Sequence, residues 1–178
     1  MTAHTVLETA RLTLRRIAND DAPFIVTLLN DPDFLRYIGD RNVRTIEDAH
    51  RYLATGPGAM YERFGHGLWL VTLTSTNEPL GICGLLKRDT LEDVDLGYAF
   101  LPQFRSQGYA EEAARGCMAY AGGVLGLRRV VAIVQPDNAR SIRLLEKLGF
   151  AREKLMRLTE DGHEVALMGA AITSDGSP

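Results

Sequence analysis

Little lysine and less cysteine mark this chain. Only Lys87, Lys147 and Lys154 are lysine among 20 basic residues, and only Cys83 and Cys117 are cysteine. Two cysteines cannot build a disulfide-stapled scaffold or a four-cysteine zinc site. They read as free thiols in a reducing cytoplasm. The arginine bias reads as that of a GC-rich bacterial genome. No apolar run approaches the roughly eighteen residues that a membrane span requires. The opening Met1-Thr2-Ala3-His4-Thr5 lacks the basic-then-apolar order of a secretory signal, so a cytoplasmic location is expected. A net charge of −3 argues against a domain dominated by contacts to nucleic-acid phosphates. Neither a nucleic acid nor a membrane is expected as a partner.

Several enzyme signatures are missing too. Gly56-Pro57-Gly58 begins a dinucleotide fingerprint, but Tyr61 stands at the third glycine position and no strand precedes it. No glycine is followed by lysine, so there is no P-loop. His163-Glu164 opens a zinc-protease motif whose second histidine is Leu167. There is no Gly-x-Ser-x-Gly elbow. The four histidines are scattered, and no metal is expected.

What remains is one domain of ordinary size. Its 178 residues are 46% hydrophobic, enough for a full core. Leu12 to Arg15 alternates as a strand. Asn19-Asp20-Asp21-Ala22-Pro23 starts a helix whose apolar face is Ala22, Ile25, Val26 and Leu29, ending before Asn30-Asp31-Pro32. Thr45-Ile46-Glu47-Asp48 fits a capping box, and Gly56-Pro57-Gly58 interrupts the helix that follows. Leu68 to Thr74 and Leu80 to Leu86 form a hairpin, and Val94 to Leu101 a further strand. Gly108 opens a helix with Ala110, Ala113, Ala114, Cys117, Met118 and Ala121 on one face. Val130 to Val134 is a strand buried on both faces. A helix from Asn138 to Gly149 and two strands, Phe150 to Leu158 and Val165 to Ile172, complete a mixed α/β domain on one twisted sheet. It spans residues 1–172, and residues 173–178 read as a disordered tail.

Two segments carry chemistry. Arg105-Ser106-Gln107-Gly108-Tyr109-Ala110 lies between a strand and a helix. The first turn of that helix has backbone N–H groups without intrahelical partners, which suit a phosphate. Gly108 admits close approach, and Arg105 adds a charge that forks onto phosphate oxygens. The second segment, Asn138-Ala139-Arg140-Ser141, begins a helix that runs to Glu146-Lys147-Leu148-Gly149-Phe150. Asn138 and Gly149 are its caps.

Together these motifs resemble the GNAT superfamily of acetyl-CoA-dependent N-acetyltransferases, from Leu12 to about Ile172. Arg105 to Ala110 resembles the family's pyrophosphate loop, and Asp95-Leu96-Gly97-Tyr98 its central strand. Leu7-Glu8-Thr9-Ala10-Arg11-Leu12-Thr13-Leu14-Arg15 resembles the branch of ribosomal-protein N-terminal acetyltransferases, as do Gly39, the segment Thr45 to Tyr52, and Trp69. The resemblance implies a mostly antiparallel sheet of about six or seven strands flanked by about four helices, with a V-shaped splay between two central parallel strands. It implies a pantetheine arm paired with backbone groups near Phe100 and Leu101, as an added strand is. It implies a pyrophosphate on Ser106, Gln107, Gly108, Tyr109 and Ala110, with Asn138 on the other side.

The implied reaction is direct attack of a primary amine on the acetyl-CoA thioester, with no metal. An amine with a pKa near 10.4 must lose a proton. Asp95 is the first candidate base, with Glu160, Glu92 or a water chain as alternatives. A backbone N–H near Phe100 or Leu101 would hold the oxyanion. Many family members use a tyrosine seven residues after the asparagine to help the thiolate leave. This chain has Leu145 there, and Ser141 is the nearest substitute. The acceptor, a peptide N-terminus or a small amine, would meet Tyr37 and Trp69. The alternative is a CoA-binding sensor or interaction module without turnover. A monomer or a homodimer is expected, the dimer on the resemblance alone.

Overall fold

The computed structural model describes residues 4–173. All but one residue of the expected tail lies outside that range. Eight strands form one sheet in the order β1-β2-β3-β4-β5-β6-β8-β7. They are β1 (Thr5–Glu8), β2 (Leu12–Arg16), β3 (Leu68–Leu73), β4 (Pro79–Leu86), β5 (Asp95–Phe100), β6 (Arg129–Val134), β7 (Ala151–Arg157) and β8 (Glu164–Ala171). Every neighbouring pair is antiparallel except β5 with β6. The strand beyond the expected count is β1, too short to show alternation. It exists because it pairs with β2, Leu7 facing Leu14.

Six helices flank the sheet: α1 (Ala22–Leu29), α2 (Pro32–Tyr37), α3 (Ile46–Leu53), α4 (Ala59–Phe64), α5 (Tyr109–Gly123) and α6 (Ala139–Lys147). α1 ends before Asn30 as its sequence suggests, but the chain re-enters a helix at once. Asp31 caps α2 by accepting from the Phe34 N–H, with Pro32 in the first turn where a missing N–H costs nothing. The Thr45 and Asp48 capping box forms as read. Gly56-Pro57-Gly58 does not break the chain's helical course. A π-turn over Ala54–Gly58 takes up Pro57 and leads directly into α4.

Two cores lie on opposite faces of the sheet. One packs α5 and α6 against Trp69, Val71, Leu96, Val130 and Ala132. The other packs α1 and α3 against Leu70 and Ile82. A small third cluster, Leu91, Val131 and Leu167, lies beside Asp95 and its neighbour Ile133. Cys83 and Cys117, 34 residues apart in sequence, meet in the first core with sulfurs 3.5 Å apart. They are free thiols, as expected, and form a buried pair. Burial and the neighbouring sulfur push the Cys117 thiol well above its ordinary value.

Candidate active site

The parallel seam between β5 and β6 has a single rung, Asp95 opposite Val131. Beyond it the strands diverge. Just past β5 the Leu101 N–H donates to Leu80 O of β4 at 3.0 Å. Alternation then turns the backbone groups of Tyr98 and Phe100 away from β4, toward the splay. Arg105 Nε takes the Phe100 carbonyl at 2.9 Å. The Tyr98 amide and carbonyl and the Phe100 N–H remain without a partner among the described residues. The usable strand edge is therefore Tyr98 and Phe100, and Leu101, expected there, is committed to β4.

Just past this edge the chain forms the loop into α5. Ser106 and Gly108 both have left-handed backbone, φ +60° and +83°. These turns gather the amides of Gln107, Gly108, Tyr109, Ala110 and Glu111, which find no acceptor among the described residues. Exposed at the tip, they form a concavity of unpaired donors at the positive end of a 15-residue helix, an arrangement whose chemistry suits an anion.

Arg105 does not supply the charge expected of it here. Its Nη2 donates to Asp31 Oδ2 at 2.6 Å and its Nη1 to Asp33 Oδ2 at 2.7 Å. With Nε on Phe100 O, the guanidinium clasps α2 to the end of β5 rather than facing the loop. The cation at the loop is Arg11, from the turn between β1 and β2. Its Nε donates to Glu112 Oε2 at 2.6 Å and its Nη1 to Gln107 O at 3.1 Å. It stacks over the Tyr109 ring at 4.5 Å. A Cβ on Gly108 would lie 3.2 Å from its Nη2. Sequence reading missed Arg11 because about a hundred residues separate it from the loop. Its only local signal was a place in the opening Thr-Ala-Arg-Leu.

Asp95 sits at the vertex of the splay, 1% exposed. Its Oδ2 accepts from Arg88 Nε at 2.6 Å, while Oδ1 has no well-formed hydrogen bond. Burial raises its pKa to about 6, against the opposing pull of the Arg88 charge, the Arg88 hydrogen bond and the Ile133 backbone N–H. Glu160 stands in the turn between β7 and β8 and is exposed. Glu92 is exposed, and its carbonyl accepts from Lys87 Nζ. Of the three carboxylates only Asp95 lies at the seam.

Across the splay, Asn138 caps α6 by accepting from the Ser141 N–H at 3.2 Å, which leaves its Nδ2 free. Ser141 Oγ lies 2.7 Å from the Tyr98 hydroxyl. Leu145 is buried in the core. Arg140 reaches Asp33 at 3.3 Å, and Arg36 reaches Asp137 at 3.1 Å, so α2 spans from the β5 end to α6. Tyr37, half-buried under Arg36, ends that bridge. Trp69 is a correction: fully buried and edge-on to Tyr120 at 5.1 Å, it belongs to the α5 core and faces no acceptor surface. Among the described residues no group of histidine, cysteine or carboxylate side chains has the arrangement to hold a metal, and no helix is long and apolar enough to cross a membrane.

Comparison with known proteins follows the same lines. The acetyltransferase (GNAT) domain family matches residues 11–151. The N-acetyltransferase YoaA of Bacillus subtilis (strain 168), itself uncharacterized, is 33% identical over 153 residues, covering 85% of this chain and 86% of that protein. The solved structure of RimL, a ribosomal L7/L12 alpha-N-protein acetyltransferase, matches with a TM-score of 0.80 at 17% identity, over 97% of this chain and 96% of that one. The spermidine N-acetyltransferase of Vibrio cholerae, solved with CoA and spermine, matches with a TM-score of 0.75 at 18% identity, over 92% and 96%. Those two likenesses bear on the fold. The family match and the Bacillus relative bear on what the chain is: an acetyltransferase that belongs to the GNAT family.

Proposed function

We propose that the chain transfers an acetyl group from acetyl-CoA to a primary amine by direct attack, both substrates being bound together. One observation carries the reading. A strand edge inside the sheet, at Tyr98 and Phe100, runs straight into the free amides of Gln107 to Glu111. An extended ligand with amides along one part and a pyrophosphate at its end complements that sequence of groups.

Acetyl-CoA supplies an activated thioester. The chain's residues supply the rest. The pantetheine arm pairs with the Tyr98 and Phe100 backbone, and the pyrophosphate lies on the loop Ser106 to Ala110. Arg11 provides the positive charge there. Its bond to Glu112 also offsets a carboxylate in the first turn of α5, which would otherwise repel a phosphate. The Asn138 Nδ2 reaches from α6. The Tyr98 N–H, the deeper of the two free amides in the splay, stabilises the developing oxyanion, which leaves the Tyr98 carbonyl and the Phe100 N–H to the pantetheine arm. Asp95 takes the amine proton. With a pKa of about 6 it is ionised at pH 7 yet close enough to neutrality to accept a proton well. Its burial leaves the splay as the proton's route and keeps bulk water from competing. Ser141 receives the departing sulfur. The acceptor is a peptide N-terminus or a small amine, entering near α2 and Tyr37. A spermine-bound neighbour and a protein-acetylating neighbour of the same fold support either class.

The test is mass detection of acetylated products from the purified protein, acetyl-CoA, and a pool of peptides, polyamines and aminoglycosides. A product names the acceptor class. Absence of acetyl-CoA binding overturns the proposal. Since Cys83 and Cys117 are buried, a thiol-release assay should also run with little background in the native protein. A second expectation concerns Arg11. Arg11→Gln should raise the KM for acetyl-CoA about tenfold, as loss of one charge-assisted phosphate contact does. It should leave the KM for S-acetyl-pantetheine, which lacks the pyrophosphate, unchanged. An equal rise for both donors would assign Arg11 a structural role only.

A further inference from the structure

Tyr98 and Ser141 bring two hydroxyls together from opposite sides of the splay, one on β5 and one in the first turn of α6. Tyr98 Oη lies 2.7 Å from Ser141 Oγ; the Ser141 carbonyl, at 3.3 Å, is a second and more distant acceptor for the phenol's one proton. No other partner holds Ser141 Oγ among the described residues. A hydroxyl has one proton and two lone pairs, so the direction of this bond decides what Ser141 offers. The phenol, with an ordinary pKa near 10, is the more acidic of the two hydroxyls and the better donor. Burial raises it further, which keeps the phenol protonated and donating.

We propose that Tyr98 is a positioning residue for acetyl transfer: by donating to Ser141 Oγ, it frees the Ser141 O–H to point at the sulfur that departs. This rests on the reading of the site given above. The bookkeeping of the step is complete. The nitrogen–carbon bond forms, the carbon–sulfur bond breaks, and its electron pair stays on sulfur. The amine's proton goes to Asp95. The sulfur is held as a thiolate by the Ser141 hydrogen bond and takes its proton from solvent as CoA leaves. Tyr98 never loses its own proton. Its contribution is to hold a serine that is otherwise free to rotate, and to polarise its O–H. Leu145, where many members of the family carry a tyrosine that helps the thiolate leave, has no polar atom and is buried in the core.

The groups facing this pair are few. Cys83 lies opposite Tyr98 on β4, with Cys117 of α5 behind it. Arg140 and Arg143 flank Ser141 on α6. Both thiols are buried, and Asn138 accepts from the Ser141 N–H in the same turn.

Two measurements test the proposal. The first needs no acceptor: the affinity for CoA relative to desulfo-CoA between pH 7 and 9. If the pair lowers the bound thiol's pKa by about one unit from near 8.5, the ratio rises about sixfold across this range in the wild type. The rise should vanish in Ser141→Ala and fall by half or more in Tyr98→Phe. The second is turnover. Tyr98→Phe should lower kcat about five- to tenfold, the value of one hydrogen bond, with the KM for acetyl-CoA within about twofold. The double variant should match Ser141→Ala alone, because Tyr98 acts through Ser141. A Tyr98→Phe protein with the wild-type pH rise and kcat overturns the proposal, as does a loss additive with that of Ser141→Ala. If the wild type binds CoA but acetylates nothing in the pool, the pH measurement still decides the role of Tyr98. If it does not bind CoA, the parent reading fails first and this one with it.

Discussion

Asp95→Asn is expected to lower kcat about a hundredfold or more and, at pH 7, to make the protein more stable. The first effect follows from loss of the proposed base, since such a group commonly contributes in that range. In the wild type, kcat should rise as pH passes through about 6, where Asp95 ionises, and then level off. The variant should lose that limb. The second effect follows from linkage. Asp95 binds its proton more tightly in the folded state, with a pKa raised from 3.8 to about 6. Between these values the unfolded chain ionises first, so folding stability falls as pH rises across the window. Two units correspond to about 3 kcal/mol, lost by pH 7 and present below about pH 4. Asparagine stands in for the neutral carboxyl at every pH and still accepts from Arg88. Thermal melts of both proteins at pH 4 and pH 7 check the sign. The variant's advantage should appear at pH 7 and shrink toward zero at pH 4. A variant less stable at both pH values would mean that the Arg88 pair outweighs desolvation.

The largest stability loss is expected at Gly84. On β4 it stands opposite Leu68. A Cβ there would lie 2.0 Å from the Gly67 carbonyl oxygen and 2.8 Å from the Leu68 Cα. Both are backbone atoms, one of Gly67 and one of the first residue of β3, so no side chain can swing aside. Gly84→Ala must push β3 and β4 apart in the middle of the sheet, costing about 3 kcal/mol or more. For a chain of this length the melting temperature should fall by about 10 °C. The contrast is Gly123→Ala, at the last residue of α5, where nothing lies within 4 Å of the added methyl. There the better helix former should be neutral or stabilising, by up to about 1 kcal/mol. Equal melting temperatures for the two variants would contradict this account.

What the sequence made legible was whatever depends on near neighbours. The Thr45 capping box, the α5 stripe from Ala110 to Ala121, and the hairpin around Ser75 to Glu78 are local patterns, and each formed. The opening of α5 at Gly108 was legible for the same reason. What it hid was pairing across long stretches of chain. Nothing near Arg105 announces that Asp31 and Asp33 will claim it. Nothing near Arg11 announces Gln107 and Glu112. Trp69 sits in a strand whose alternation shows two faces but not which one α5 covers. Cys83 and Cys117 each look solitary until β4 and α5 pack. The short β1 and α2 were missed because partners and caps, not periodicity, make them.

The single rung between β5 and β6 means that the sheet carries a free edge in its interior. Unpaired strand edges invite other chains, and proteins ordinarily blunt them with charge, proline or brevity at the sheet's margin. Here the edge at Tyr98 and Phe100 lies mid-sheet, with α2 bridging from the end of β5 to α6. A second folded protein cannot lay a strand along it, while a narrow flexible ligand can. The fold thus keeps the adhesive property of a β-edge and restricts who may use it.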